Sequence, residues 1–296
     1  MRQLIVTADD FGLAEEVNAA VAATHRAGIL SAASLMVGGA AAADAVSMAK
    51  TLTRLRVGLH LALVDAAPTL SPDRIDGLVD RRGWLRRDMA RLALELVLQP
   101  ELRRQLRSEI AAQFEAYRRS GLPLDHVDVH KHFHLHPVVL REIIAVGRRF
   151  GMRAMRLPVE PRATLLHVDR AHGQCLPHQL LVSWASVLRT QARRAGLLTP
   201  DFVFGLAWSG AMTRERVRRL IQTLPEGLVE IYTHPATTDR FRGHAHGYCY
   251  VEELEALRAP ETISAVQHSG WRLGGYADAL AGADTIRGRH PEMGWT

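Results

Sequence analysis

Leu4-Ile5-Val6-Thr7-Ala8-Asp9-Asp10-Phe11-Gly12 is the stretch that decides the fold. Its apolar run reads as a buried strand, and two adjacent carboxylates close it. Desolvating a charge costs roughly several kcal/mol unless a metal, a proton or a cation compensates it. The pair therefore marks the point where the strand gives way to a loop, with Phe11-Gly12 as the turn. Taken alone, the two aspartates fit equally well a solvated turn that caps a helix beginning near Ala14.

Working outward, short apolar runs recur at Leu4–Thr7, Ser34–Val37, Val57–Leu63, His126–Val129, Met152–Leu157, Phe202–Ala207 and Leu228–Tyr232. Amphipathic patterns separate them at Ala14–Ala27, Ala40–Leu52, Leu102–Arg119, Val138–Phe150, Gln179–Ala195 and Arg214–Leu224, several stopped by a glycine as at Gly28, Gly121, Gly151 and Gly196. Such alternation predicts an α/β fold with about seven parallel strands and helices outside them. The absence of a GxGxxG phosphate loop favours a (β/α) barrel over a doubly wound sheet. With no repeat, low-complexity tract or linker, residues 1–296 read as one domain.

Composition narrows the functional classes. The chain is 47% hydrophobic, enough for a full core. It has no apolar stretch long enough to span a membrane and no signal-peptide pattern, so the expected location is the cytoplasm. Cys175 and Cys249 lie far apart, which leaves oxygen and nitrogen to hold any metal. The net charge of +6 comes almost wholly from arginine, Lys50 and Lys131 being the only lysines. No recognition motif accompanies that charge, so nucleic acid is not an expected partner.

In a parallel barrel the active site assembles from the carboxyl ends of several strands. Asp9, Asp10, His60, His130, Arg156, Trp208 and His234 all fall at or near such ends. One carboxylate and two imidazoles form a common ligand set for a catalytic divalent ion, and Asp10, His60 and His130 supply it. Because adjacent strand residues point to opposite faces, Asp9 can join Asp10 only if the strand ends there, and Asp9 then serves as base. The His-rich segment His126–His136 is expected to leave its strand near His130, so that the later histidines line a polar pocket and Pro137 opens a helix. His234 offers a proton donor, facing the scissile bond from the side opposite Asp9.

The segments Thr7–Gly12, Gly58-Leu59-His60, His126–His132 and Tyr232-Thr233-His234-Pro235, in this order, resemble the YdjC-like carbohydrate deacetylases over most of the chain. The resemblance implies a deformed TIM-like (β/α) barrel that uses a divalent metal to remove acetyl groups from N-acetylated amino sugars. It implies Asp10, His60 and His130 as ligands, with Asp9 as general base and His234 as general acid; the Asp and His donors themselves suit zinc, with magnesium, cobalt and iron left open. Arg156, His132, Phe11 and Trp208 are expected at the substrate. Val129, where the family commonly has serine, and the additional His136 are departures.

The opening, through Ser31–Gly38, is most similar to the hopanoid-biosynthesis branch of the family, which implies an N-acetylglucosaminyl headgroup on bacteriohopanetetrol as substrate. Leu85–Leu98 and His178–Leu198 combine apolar and arginine residues as interfacial helices do, although ordinary packing against the barrel gives the same pattern. The expected partners are thus a glycan or glycolipid, the inner membrane face as a peripheral contact, and a second copy in a homodimer. Three other readings stay open: a deacetylase of soluble N-acetylated oligosaccharides, a mononuclear iron oxygenase with the same ligand types, and a silent sugar-binding protein.

Overall fold

In the computed structural model, which describes residues 2–170 and 176–288, the first strand β1 (Arg2–Phe11) is buried from Gln3 onward. It is the spine of a wholly parallel sheet. β2 (Ala32–Leu35) pairs with it on one side and β6 (Gly227–Thr233) on the other. The order is β4-β3-β2-β1-β6-β5, with β3 at Arg56–Leu61, β4 at Val127–Val129 and β5 at Phe202–Phe204. A two-residue β7 (Arg272–Leu273) adds to the start of β1. Strands covered on both faces read as continuous apolar runs rather than alternating ones, and Leu4, Ile5 and Val6 are fully buried accordingly.

The helices that cover the sheet are α1 (Glu15–Ala27), α2 (Ala42–Thr51), α3 (Met89–Leu98), α4 (Pro100–Ser120), α5 (Pro137–Gly147), α6 (Arg162–Val168), α7 (Leu176–Arg194), α8 (Arg214–Thr223), α9 (Tyr250–Arg258), α10 (Pro260–His268) and α11 (Tyr276–Gly288). Their ends follow local chemistry. Asp88 caps α3 by accepting from the Arg91 N–H, Thr213 caps α8 through the Arg216 N–H, and Gly121 stops α4 at φ +75°.

The stretch expected as a fifth strand, Met152–Leu157, forms only isolated bridges, Val127 with Met155 and Ala154 with Leu198. It still spans the gap between β4 and β5: the Arg156 N–H donates to Val127 O at 3.0 Å, and the Val203 N–H to Val159 O at 3.0 Å. Pro158 explains the broken ladder, since it brings no N–H and restricts the residue before it. Glu160 then accepts the N–H groups of Gly205, Leu206 and Ala207, fixing the loop after β5. The result is a deformed barrel that curves through parallel strands and is joined by this irregular segment.

Candidate metal centre

Asp9 and Asp10 share the site by a route different from the expected one. The strand does not end at the pair but runs on to Phe11; its register against β2 shifts between Ala8 and Phe11, and Asp10 sits at φ +60°. This β-bulge turns two consecutive side chains toward the same end of the barrel. A non-glycine residue in the left-handed region is strained by about 1–3 kcal/mol. Such strain persists only where the surroundings impose it, and here Gly12 N–H donating to the Asn18 side chain and Met36 N–H donating to Phe11 O, both at 2.8 Å, pin the chain on the far side of the bulge.

Asp10 Oδ1 lies 3.3 Å from His60 Nε2 and 3.2 Å from His130 Nδ1, and the two imidazole nitrogens face each other at 3.3 Å. Divalent zinc binds such donors at about 2.0–2.1 Å, which places tetrahedral ligand atoms about 3.3 Å apart. Donor types and spacing therefore fit one divalent ion. His60 Nδ1 stands 3.1 Å from Asp128 Oδ1, an outer carboxylate that orients the ring so that Nε2 faces the centre. Asp9, His60 and Asp128 form a second cluster of ligand-type atoms that shares His60 with the first.

Beneath the triad lies a charged floor. Arg156 is fully buried and grips Asp9 with two bonds, Nη1 to Oδ2 at 2.6 Å and Nη2 to Oδ1 at 2.8 Å. The same guanidinium reaches Asp128 Oδ2 at 2.6 Å and Glu230 Oε1 at 2.9 Å. One cation thus serves three buried carboxylates, and Asp10 above them makes a fourth. Burial, with Asp128 close by, raises the Asp9 pKa against the pull of Arg156. For Asp10, burial acts upward but His130 and His60 outweigh it and hold the carboxyl well below its ordinary range. Burial likewise opposes a charge on His60, yet Asp128 and Asp10 raise its pKa well above normal. The site draws positive charge to the place where the three donors converge.

His234 follows β6, whose register pairs Thr233 with Ala8, so the next residues along, His234 and Asp9, are neighbours. His234 Nε2 stands 4.0 Å from Asp9 Oδ2. The expected placement on opposite sides is corrected by this pairing of β1 with β6. Glu253 on α9 accepts the His234 and Met212 backbone N–H groups, and the Tyr248 ring packs 5.0 Å from the imidazole.

A cavity of about 680 Å³ opens over these groups, and Asp9, Asp10, His60, His130, His132 and His234 all line it. The chain leaves β4 at His130 as expected, in a 3₁₀ turn (His130–Leu135) with Lys131 and His132 at φ +55° and +53°. The turn swings His132 Nε2 to within 2.9 Å of the Tyr232 hydroxyl. Burial, with His134 and Arg156 nearby, holds the His132 pKa well below normal, and burial takes His134 down to about 3. His134 and His136 were expected to line the pocket; neither is part of its wall, because the turn carries His134 into the core. Phe11, Arg156 and Trp208, expected at the substrate, are likewise set behind the wall. Phe11 is fully buried beside the bulge, Arg156 holds the floor, and Trp208 packs under the Arg216 guanidinium at 5.5 Å.

Several members of the site were not anticipated. Asp128 and Glu230 share strand faces with His126 and His130, and with Tyr232 and His234, so the period of two contained the signal. The rim residues Arg242, His244, His246 and Tyr248 come from a loop after β6 that has no periodicity, and Trp84 and Arg87 from the long connection after β3.

A parallel barrel that gathers an Asp-His-His cluster and a guanidinium-bound aspartate at its strand ends defines the class of strand-end sites suited to a divalent ion. The chain belongs to the YdjC-like protein family, whose model it matches over residues 3–268. It is similar to a carbohydrate deacetylase of Brevibacillus brevis, 29% identical with 88% of this chain and 92% of that one covered. A chitooligosaccharide deacetylase of Klebsiella pneumoniae is 27% identical, with 94% and 99% covered. Among solved structures, a protein of Enterococcus faecalis V583 with a proposed role in cellobiose-phosphate cleavage superposes with TM-score 0.72 at 22% identity, over 94% of this chain and 98% of the other, a likeness of fold.

Proposed function

We propose that the protein is a metal-dependent N-deacetylase acting on an N-acetylated amino sugar. The observation that carries this reading is the convergence of Asp10, His60 and His130 donors at 3.2–3.3 Å, directly beside Asp9 in its guanidinium grip. Deacetylase relatives that align along nearly the whole chain support it. Asp10, His60 and His130 would hold the ion, zinc being the first choice from the nitrogen and oxygen donors. A divalent ion held there would supply Lewis-acid chemistry, polarising the acetamide carbonyl and making an attacking water more acidic.

The chain's own residues then divide the proton work. Asp9 takes the proton from the attacking water, and its raised pKa makes it a better base than an ordinary aspartate. Arg156 fixes its plane. His234 gives a proton to the departing amine, which is a poor leaving group without one. With Asp9 and His234 only 4.0 Å apart, attack and departure take place at one wall of the cavity. His132 and Tyr232, hydrogen-bonded to each other, provide neutral polar contacts for the sugar.

For the finer identity of the substrate, a glycolipid with an N-acetylglucosaminyl headgroup, as in the hopanoid-biosynthesis branch HpnK, is favoured over a free oligosaccharide. Exposed apolar residues on α3 (Leu94, Val97, Leu98) and on α7 (Leu180, Trp184, Val187) support that choice and peripheral contact with a membrane surface. Among the described residues no helix is long and apolar enough to cross a membrane. Mass spectrometry after incubating metal-loaded protein with N-acetylated chitooligosaccharides and with N-acetylglucosaminyl bacteriohopanetetrol tests the proposal. Loss of one acetyl group, faster on the lipid, is the expected result. Loss from the oligosaccharide alone would reverse the substrate choice, and no loss from either would overturn the function.

A further inference from the structure

Below the charged floor, a part of the chain beyond the family-matched stretch reaches into the barrel. Tyr276, the first residue of α11, is fully buried, and its hydroxyl donates to Glu230 Oε2 at 2.5 Å. The other oxygen, Oε1, accepts from the Thr7 hydroxyl at 2.6 Å and from Arg156 Nη2 at 2.9 Å. The Tyr276 ring stacks on His126 at 4.6 Å with an interplanar angle of 20°. Asp125 accepts the backbone N–H groups of Tyr276 and Ala277 at 3.1 and 2.8 Å, and Arg56 pairs with Asp278 at 2.6 Å. A helix is thereby clamped by its first turn against the underside of the site.

This arrangement answers a competition. Arg156 faces Asp9, Asp128 and Glu230 at once, all buried, so each carboxylate draws the guanidinium toward itself. A carboxylate with no other donor would pull hardest, because a buried unpaired oxygen is costly. Hydroxyl donors on both oxygens of Glu230 relieve its demand, and the guanidinium keeps its two-bond grip on Asp9. Tyr276 is the donor to Oε2 among the described residues.

We infer that Tyr276 is a positioning residue for the reaction: through Glu230 and Arg156 it holds the Asp9 carboxylate in its working orientation. The chain of contacts runs Tyr276 Oη, Glu230, Arg156, Asp9, with no separation above 2.9 Å. The helix α11 is accordingly part of the machinery, although none of its described residues lines the cavity. The inference rests on the reading of Asp9 as the base of a deacetylase.

The test is Tyr276→Phe, which removes one hydroxyl and keeps the stacked ring, studied with Glu230→Gln and the double variant. The expected result is a kcat about 10- to 100-fold lower, as for sub-ångström misplacement of a reacting group, with KM and bound metal per chain unchanged. The double variant should lose no more than the worse single one, since both act through one contact. A crystal structure of Tyr276→Phe should show at least one of the two Arg156–Asp9 bonds broken. An unchanged kcat, or a lower kcat with both bonds intact, would overturn the inference. If Tyr276→Phe fails to fold, Glu230→Gln carries the same two readouts. If the wild type releases no acetate at all, the deacetylase reading fails, while the crystallographic arm still decides whether Tyr276 holds Asp9 in place.

Discussion

Asp9 and Asp10 are neighbours in sequence, both buried, and both turned to one end of the barrel by the same bulge, yet the protein treats them oppositely. Asp9 is bound through two nitrogens by a fully buried arginine, which it shares with Asp128 and Glu230. Asp10 receives two imidazole nitrogens and, among the described residues, no arginine or lysine. A carboxylate with both oxygens bound to a guanidinium has little left to hold an ion. One that shares its free oxygen with two imidazoles is built to bind one. On the proposed reading, two identical side chains acquire different roles from their surroundings alone.

Removing the open side of this contrast should have the largest effect. His60→Ala and His130→Ala are expected to abolish metal retention and to bring acetyl release to background, while circular dichroism stays native because the ligands sit at the strand ends and not in the packed core. Full metal occupancy in either purified variant would contradict the ligand assignment.

On the closed side, His234→Ala should keep its metal and its sugar affinity and lose about 100- to 10,000-fold in kcat/KM on the amide. An activated acetyl ester, whose leaving group needs no proton, should lose far less in the same variant. Equal losses on both substrates would assign His234 to positioning and take the role of acid from it.

A smaller change sharpens the border between the two sides. Asp128 touches both, standing 3.1 Å from His60 and 2.6 Å from Arg156. Asp128→Asn should weaken metal affinity about 10- to 100-fold, as loss of an outer carboxylate behind a ligand histidine does. Chelator competition reads this directly, and an unchanged affinity would remove His60 from that carboxylate's influence.

Much of this was legible along the chain because it is local. The buried run Leu4-Ile5-Val6 marks the central strand, and the glycine stops bound the helices. The donors of the triad carry their chemistry in their residue types, so their separation by 50 and 70 positions hides little. What was not legible is backbone geometry and long-range charge. No residue type announces that Asp10 adopts a left-handed conformation, so a bulge was read as the end of a strand. The pairing of β1 with β6 sets His234 beside Asp9, and nothing near either residue encodes that pairing. The family resemblance implies Arg156 as a pocket residue, and its place near a strand end does not reveal that it lies beneath the site. Only with Asp9, Asp128 and Glu230 brought from three strands does its burial make physical sense. Tyr276 acts on Glu230 across 46 positions and from outside every motif.

The division of labour between the two aspartates is tested most directly by elemental analysis of Asp9→Asn and Asp10→Asn, purified side by side with the wild type. One divalent ion per chain is predicted in the wild type and in Asp9→Asn, the latter with acetyl release reduced about 100- to 10,000-fold, and none in Asp10→Asn. An ion retained by Asp10→Asn and lost from Asp9→Asn would reverse the roles and contradict the account.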